Sequence, residues 1–196
     1  DLLSDDDWSE AFETAVKPAA FYDSFGSCAV DTVLANLNHL AVAEGCQVIL
    51  LDHVSMVVSG MQGGDERKEL DRLMTELRTL CERTGVSIIA ISHVNRVTSS
   101  GGFSNEGGQI SLNSLRGSGA LAQLSDTVIG VERDQQDEEY KNMVHFRLLK
   151  SRVTGETGSA GWATYNHATG LLQASDGPDR DGDAHTQVDF DLNTDL

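Results

Sequence analysis

Residues 47–60 read QVILLDHVSMVVSG. The apolar run Val48–Leu51 ends in Asp52 and the polar His53, the pattern of a buried parallel strand surfacing at the carboxyl edge of a sheet. Open α/β sheets bind ligands at that edge. A carboxylate there can hold Mg2+, directly or through water, beside a nucleoside triphosphate, which is the Walker B arrangement. The plainer alternative is a strand followed by a loop with an acid in it, so the reading depends on the flanking chain.

On the amino side, Val30, Val33, Leu34, Leu37 and Leu40 recur at helical spacing, and Gly45 closes that helix. With AFYDSF (20–25) read as a short strand, this predicts strand, helix, strand. On the carboxyl side, SGMQGG is a flexible loop and Asp65 is placed to cap a long helix. Leu70, Leu73, Met74, Leu77, Leu80 and Cys81 make one apolar stripe on it, opposite a charged face, which is core rather than a cofactor site. VSIIAIS (86–92) predicts a second buried strand that delivers His93 to the edge already holding Asp52. Residues 94–109, rich in Gly and Ser, read as a mobile loop. ISLNSLRGSGALAQLSD reads as a short helical turn with Arg116, Gly117, Ser118 and Gly119 at an exposed corner. Three strands follow at 127–133, 143–152 and 159–172, linked by the polar hairpin DQQDEEYKN and the turn TGETG.

The chain has 196 residues, 39% hydrophobic and 23% charged, enough for one globular domain with a real core. Its net charge of -17 gathers at the ends. Residues 1–13 hold six acids and no base, and residues 176–196 hold seven Asp against one Arg. Acidic ends of this kind are solvated or dock on basic partners. The predicted organisation is an acidic lead-in (1–19), broken by Pro18, then an α/β domain (20–174) and an acidic, disordered tail (175–196). Cys28, Cys46 and Cys81 are widely spaced with no CxxC pair, which suits a reducing, cytoplasmic setting. No apolar run approaches the roughly 18 to 20 residues that cross a bilayer, so no membrane association is expected. The chain starts with Asp rather than Met, and a segment upstream is expected.

A nucleotide site made from these parts needs a metal carboxylate (Asp52), a group that senses the γ-phosphate (His93) and cations that stabilise transition-state charge. LLKSR puts Lys150 and Arg152 two residues apart on one strand and so on one side of it. The rival reading is a pair of surface charges on an edge strand.

The segments QVILLDHVSMVVSG, DERKELDRLMTELRTLCERTGVSIIAISH, ISLNSLRGSGALAQLSDTVIGVER and LLKSRVTGETGSAGWATYNHATGLL closely resemble the helicase half of the bifunctional phage primase-helicases. These are DnaB-like replicative helicases, together with mitochondrial Twinkle. The resemblance runs from about residue 21 to 172, and the ordered combination is far more specific than any one motif. It implies a RecA-like P-loop NTPase core with a mostly parallel central sheet and a β-rich C-terminal part. It implies also a ring, usually a hexamer, that uses ATP or dTTP with Mg2+ to move 5′ to 3′ along single-stranded DNA. Asp52 matches the Walker B carboxylate and His93 the γ-phosphate sensor. Arg152 matches the arginine finger acting on the neighbouring subunit, with Lys150 beside it and Arg133 as a further phosphate-side cation. Tyr165 matches the aromatic that stacks on the base; the alternative is a core tyrosine on a half-buried strand. Arg116, Gly117 and Ser118 match the central loop that holds the DNA backbone, and Gln123 a glutamine linking DNA and nucleotide states.

The sequence also departs from that family. It contains no GxxxxGK[ST], and in the family the P-loop and the catalytic glutamate lie upstream of the matching region. The chain therefore reads as the C-terminal part of a helicase, without independent ATPase activity. The loop after His93 is lysine-bearing in the phage relatives and offers only Arg96 here, which predicts a shallower salt dependence of DNA binding. The acidic tail resembles the tail that docks on the replicative DNA polymerase, but it ends in Leu196 with Phe190 further in; a merely solvating tail is the alternative. Two other readings stay open at this point: a recombinase-type RecA-like ATPase, and a non-catalytic fragment that needs an N-terminal half.

Overall fold

A computed structural model describes residues 4–22, 29–58, 64–94, 108–115 and 119–178. They fall into two compact units, Asp1–Ser92 and His93–Leu196, so the domain expected over 20–174 spans both.

In the first unit, α1 (Asp5–Ala11) starts at a capping box. The Ser4 hydroxyl accepts from the Asp7 N–H while the Asp7 carboxylate accepts from Ser4, and a π-type turn Phe12–Val16 continues the helix. The strand expected at 20–25 is not found at residues 20–22; residues 23–25 lie outside the described residues. Helix α2 (Val30–Val42) buries Val30, Val33 and Leu37, as its spacing predicts. The chain leaves it through Gly45 at φ 69°, a left-handed conformation that favours glycine. Strand β1 (Val48–Leu51) follows, then Asp52 and a short helix α3 (Val54–Val58). That helix is not in the sequence reading, because VSMVV is a β-branched run with weak helix propensity. The ordered packing of Val54 and Val57 explains it: both are buried.

Helix α4 (Gly64–Thr84) begins one residue before the expected cap. Its stripe is the core of the unit: Leu70, Leu73, Met74, Leu77 and Leu80 are all buried, and Leu73 is wholly so. Strand β2 (Ser87–Ala90) then pairs in parallel with β1, Leu51 opposite Ala90, so both strands end at one edge. Helices cover one face of this pair, where Ile49 is buried. The other face is bare: Val48, Leu50 and Ile89 are 59%, 65% and 57% exposed. Among the described residues no helix is long and apolar enough to cross a membrane.

The second unit begins with a bridge between Val94 and Leu115 and a 3-10 turn, Leu112–Ser114. Helix α5 (Gly119–Leu124) leads into an antiparallel sheet ordered β3 (Thr127–Glu132), β4 (Met143–Ser151), β5 (Gly158–Asn166), β6 (Leu171–Ser175). Three strands were expected and four are present. The single strand predicted at 159–172 is cut by the turn NHATG, which has its own chemistry. Asn166 Oδ1 accepts from the Ala168 N–H, Gly170 N–H donates to the Asn166 carbonyl, and Gly170 sits at φ 72°. Glu132 ties the edge strand β3 to β4 and to Ile110. This buried carboxylate accepts from the Ile110 N–H at 2.7 Å and from Arg147 at 3.0 Å, with His145 Nδ1 at 3.4 Å. His145 in turn stacks on Trp162, ring centres 4.0 Å apart.

Candidate functional site

In the first unit the candidate is Asp52. Strand β1 delivers it to the edge where β2 also ends, and the backbone there is closed by the Ile91 N–H donating to Leu51 and the Val54 N–H donating to Ile91. The side chain is exposed, and a cis peptide joins it to His53. A single solvent-facing carboxylate fits Mg2+, a hard ion that keeps several waters and takes its remaining oxygens from phosphates. No group of three or more His, Cys, Asp or Glu able to hold a metal occurs among the described residues, so a dedicated protein cage is not what these residues form.

A cavity of about 740 Å³ runs beside β1 from Phe21 and Tyr22 to Asp52. Among the described residues its lining contains no lysine or arginine, and Val48 and Leu50 contribute apolar surface. A triphosphate would meet no counter-charge from these residues, so they do not by themselves form a phosphate cradle.

The second unit holds His93, Gln123, Arg133, Lys150, Arg152 and Tyr165. His93 is exposed. Lys150 and Arg152 reach the same place, as their spacing predicts, and that place is the C-terminal end of α5. Lys150 Nζ donates to the carbonyls of Ala122 (2.6 Å), Ser125 (2.8 Å) and Gln123 (3.1 Å). A helix end presents unpaired carbonyls and partial negative charge, and an ammonium answers both. Burial, and after it the charge of Arg152, lowers the Lys150 pKa below the ordinary lysine value, with Asp126 acting the other way. Arg152 donates to the Gln123 carbonyl at 2.7 Å and pairs with Asp126 at 2.9 Å. Gln123 thus meets both cations through its backbone, while its side chain is exposed.

Arg133 and Tyr165 form a second cluster. The guanidinium lies 5.8 Å from the centre of the Tyr165 ring, and His167 meets that ring edge-on at 4.9 Å. Tyr165 is half-buried on β5, so the cation expected on the phosphate side stands with the aromatic expected at the base. Arg96, Arg116, Gly117 and Ser118, the expected DNA contacts, lie outside the described residues, as do the 95–107 loop and residues 179–196 of the tail. Sequence reasoning missed Asp126 and Asn142. Both are ordinary polar residues in turns, and only the strand register brings them to Arg152 and Arg133.

Comparison with known proteins adds a family to this geometry. A family model described as DnaB-like helicase C terminal domain matches residues 2–170. The DNA helicase/primase of Enterobacteria phage T3 is 46% identical over 165 residues, which cover 84% of this chain and 29% of that protein. Replicative DNA helicase DnaC of Bacillus subtilis (strain 168) is 23% identical over 168 residues, covering 82% of this chain and 36% of that one. The chain therefore spans about a third of the length of these relatives. Among solved structures, a DnaB-like replicative helicase described with its interactions with primase matches at TM-score 0.65 and 18% identity, over 87% of this chain and 41% of that one. A KaiC-like protein from Pyrococcus horikoshii OT3 matches at TM-score 0.56 and 15% identity, over 86% and 64%. These likenesses bear out the RecA-like α/β fold expected from sequence.

Proposed function

We propose, since this chain belongs to the family of DnaB-like helicase C-terminal domains, that it is the C-terminal part of a ring-forming replicative DNA helicase. In this reading nucleoside triphosphate hydrolysis drives 5′ to 3′ movement on single-stranded DNA and separation of the duplex. The observation that carries it is the match to the family over residues 2–170, joined to 46% identity with a phage DNA helicase/primase.

Each site residue has a role that its chemistry supports. Asp52, exposed at the strand edge, holds Mg2+ with its water shell beside the phosphates of ATP or dTTP. His93 senses the γ-phosphate. Arg152 completes the site of the adjacent subunit, and Lys150 fixes the end of α5 against which Arg152 rests. Tyr165 and Arg133 receive the nucleobase, since an aromatic face and a guanidinium plane both stack on flat rings. Gln123, whose carbonyl holds Lys150 and Arg152, links the nucleotide state to residues 116–118, which with Arg96 contact the DNA backbone. The acidic tail offers a contact to the replicative DNA polymerase, and the setting is the cytoplasm, that of the host if the protein is phage-encoded.

A phosphate cradle has to come from outside these 196 residues, because they contain no GxxxxGK[ST]. The reading therefore predicts that the purified chain alone does not hydrolyse nucleotide, whereas the complete protein does so with stimulation by single-stranded DNA. The complete protein should unwind a fork that carries a 5′ single-stranded tail and leave one with only a 3′ tail intact. Hydrolysis indifferent to DNA would remove the helicase reading in favour of a RecA-like ATPase without strand separation, and turnover by the isolated chain would remove the split of functions.

A further inference from the structure

We infer that Asn142 is a positioning residue that sets the nucleobase platform by holding Arg133 against Tyr165. The inference rests on the proposed nucleotide site and names a residue that acts within it.

Asn142 stands at the last position of the β3–β4 link, directly before β4. From there it ties together the ends of three strands. Its backbone carbonyl accepts from the Tyr165 N–H at 2.8 Å, which fixes the height of the tyrosine on β5. Its side-chain oxygen accepts from the Arg133 guanidinium at 3.3 Å and faces His167 Nε2 at 2.8 Å. An amide oxygen has two lone pairs, and two donors use them both. That arrangement decides the orientation of the amide and puts the proton of His167 on Nε2, because a reversed amide would turn donors toward a cation. The guanidinium has one further support in the link, Nε to the Lys141 carbonyl at 2.6 Å.

The distance at stake explains why the side chain matters. A cation acts on an aromatic face out to about 6 Å from its centre, and Arg133 stands at 5.8 Å. With the Nε bond alone the guanidinium can pivot about that bond and leave the ring. The Asn142 oxygen removes the pivot. A base that stacks here then meets a plane already set, and less ordering is lost on binding. The triphosphate and the metal are unaffected, so the effect belongs to affinity and not to the chemical step.

The test is steady-state kinetics on the complete protein. Asn142→Leu keeps the volume and removes the acceptor; it should raise KM for the nucleotide about tenfold, the range of a lost cation–π hold, with little change in kcat. Asn142→Asp restores an acceptor and should return KM to within about twofold of the parent. In an Arg133→Ala background, Asn142→Leu should add nothing, because the two act as one unit. Unchanged KM in Asn142→Leu, or effects of Asn142→Leu and Arg133→Ala that simply add, would overturn the inference. Tyr165→Ala separates this failure from a deeper one. If Tyr165→Ala raises KM and Asn142→Leu does not, only the role of Asn142 is lost; if Tyr165→Ala leaves KM unchanged, the placement of the nucleotide fails and the inference falls with it.

Discussion

Arg152→Ala in the complete protein is expected to lower DNA-stimulated nucleotide hydrolysis by about 10³-fold or more, the scale of a missing arginine finger, while nucleotide affinity stays largely intact. The contacts of Arg152 in its own chain make this test clean. Its partner is Asp126, and the two side chains are 47% and 51% exposed. A pair that open to water contributes about 0–1 kcal/mol. Exchanging that carboxylate for a phosphate of the neighbouring subunit is therefore inexpensive, and losing the arginine costs the fold little. A structural role and a catalytic role make opposite predictions. The first gives a small loss of stability and normal turnover; the second gives the same small loss with turnover gone. Hydrolysis near the parent rate, or a lost rate matched by global unfolding in a thermal melt, would end the assignment. Lys150 is different in kind. Its three carbonyl partners tie this half-buried side chain to α5, so Lys150→Ala should lose stability as well as rate.

Glu132→Ala should destabilise the antiparallel sheet by about 3–5 kcal/mol, the range for breaking a buried ion pair from one side. Three groups depend on this carboxylate: the Ile110 N–H, the Arg147 guanidinium and the His145 ring. Alanine leaves a largely buried cation without its counter-charge and a backbone donor without its acceptor. Glu132→Gln keeps an oxygen for the Ile110 N–H and should lose less. Replacing Glu132 and Arg147 together by leucine should recover most of the loss, because the charge is then removed instead of stranded. Urea unfolding of the three variants checks the order. If Glu132→Ala and the double variant are equally unstable, the network contributes through packing and not through charge.

The elements that sequence made legible are those whose pattern is local. The α4 stripe, with Leu73 wholly buried, and β1 with its terminal Asp52 follow from spacing alone. The misses have physical reasons. Helix α3 is built from β-branched residues whose propensity opposes it, and tertiary burial of Val54 and Val57 prevails. The extra strand β6 was missed because only the short turn NHATG separates it from β5, although Asn166 and Gly170 carried the turn signal. The positions of Asp52 at a strand edge and of Tyr165 on a half-buried strand were legible from the residues. Asp126, Asn142 and Glu132 were out of reach. Their roles depend on register, including shifts after Val128 and Phe146 that no periodicity announces.

The grip of Lys150 on the end of α5 has a mechanical meaning. Six residues of helix, pinned at their C-terminal end by an ammonium, form a short lever with its fulcrum on β4. Any displacement of that helix end is passed straight to the guanidinium two positions beyond the fulcrum, because Lys150 and Arg152 hold the same Gln123 carbonyl.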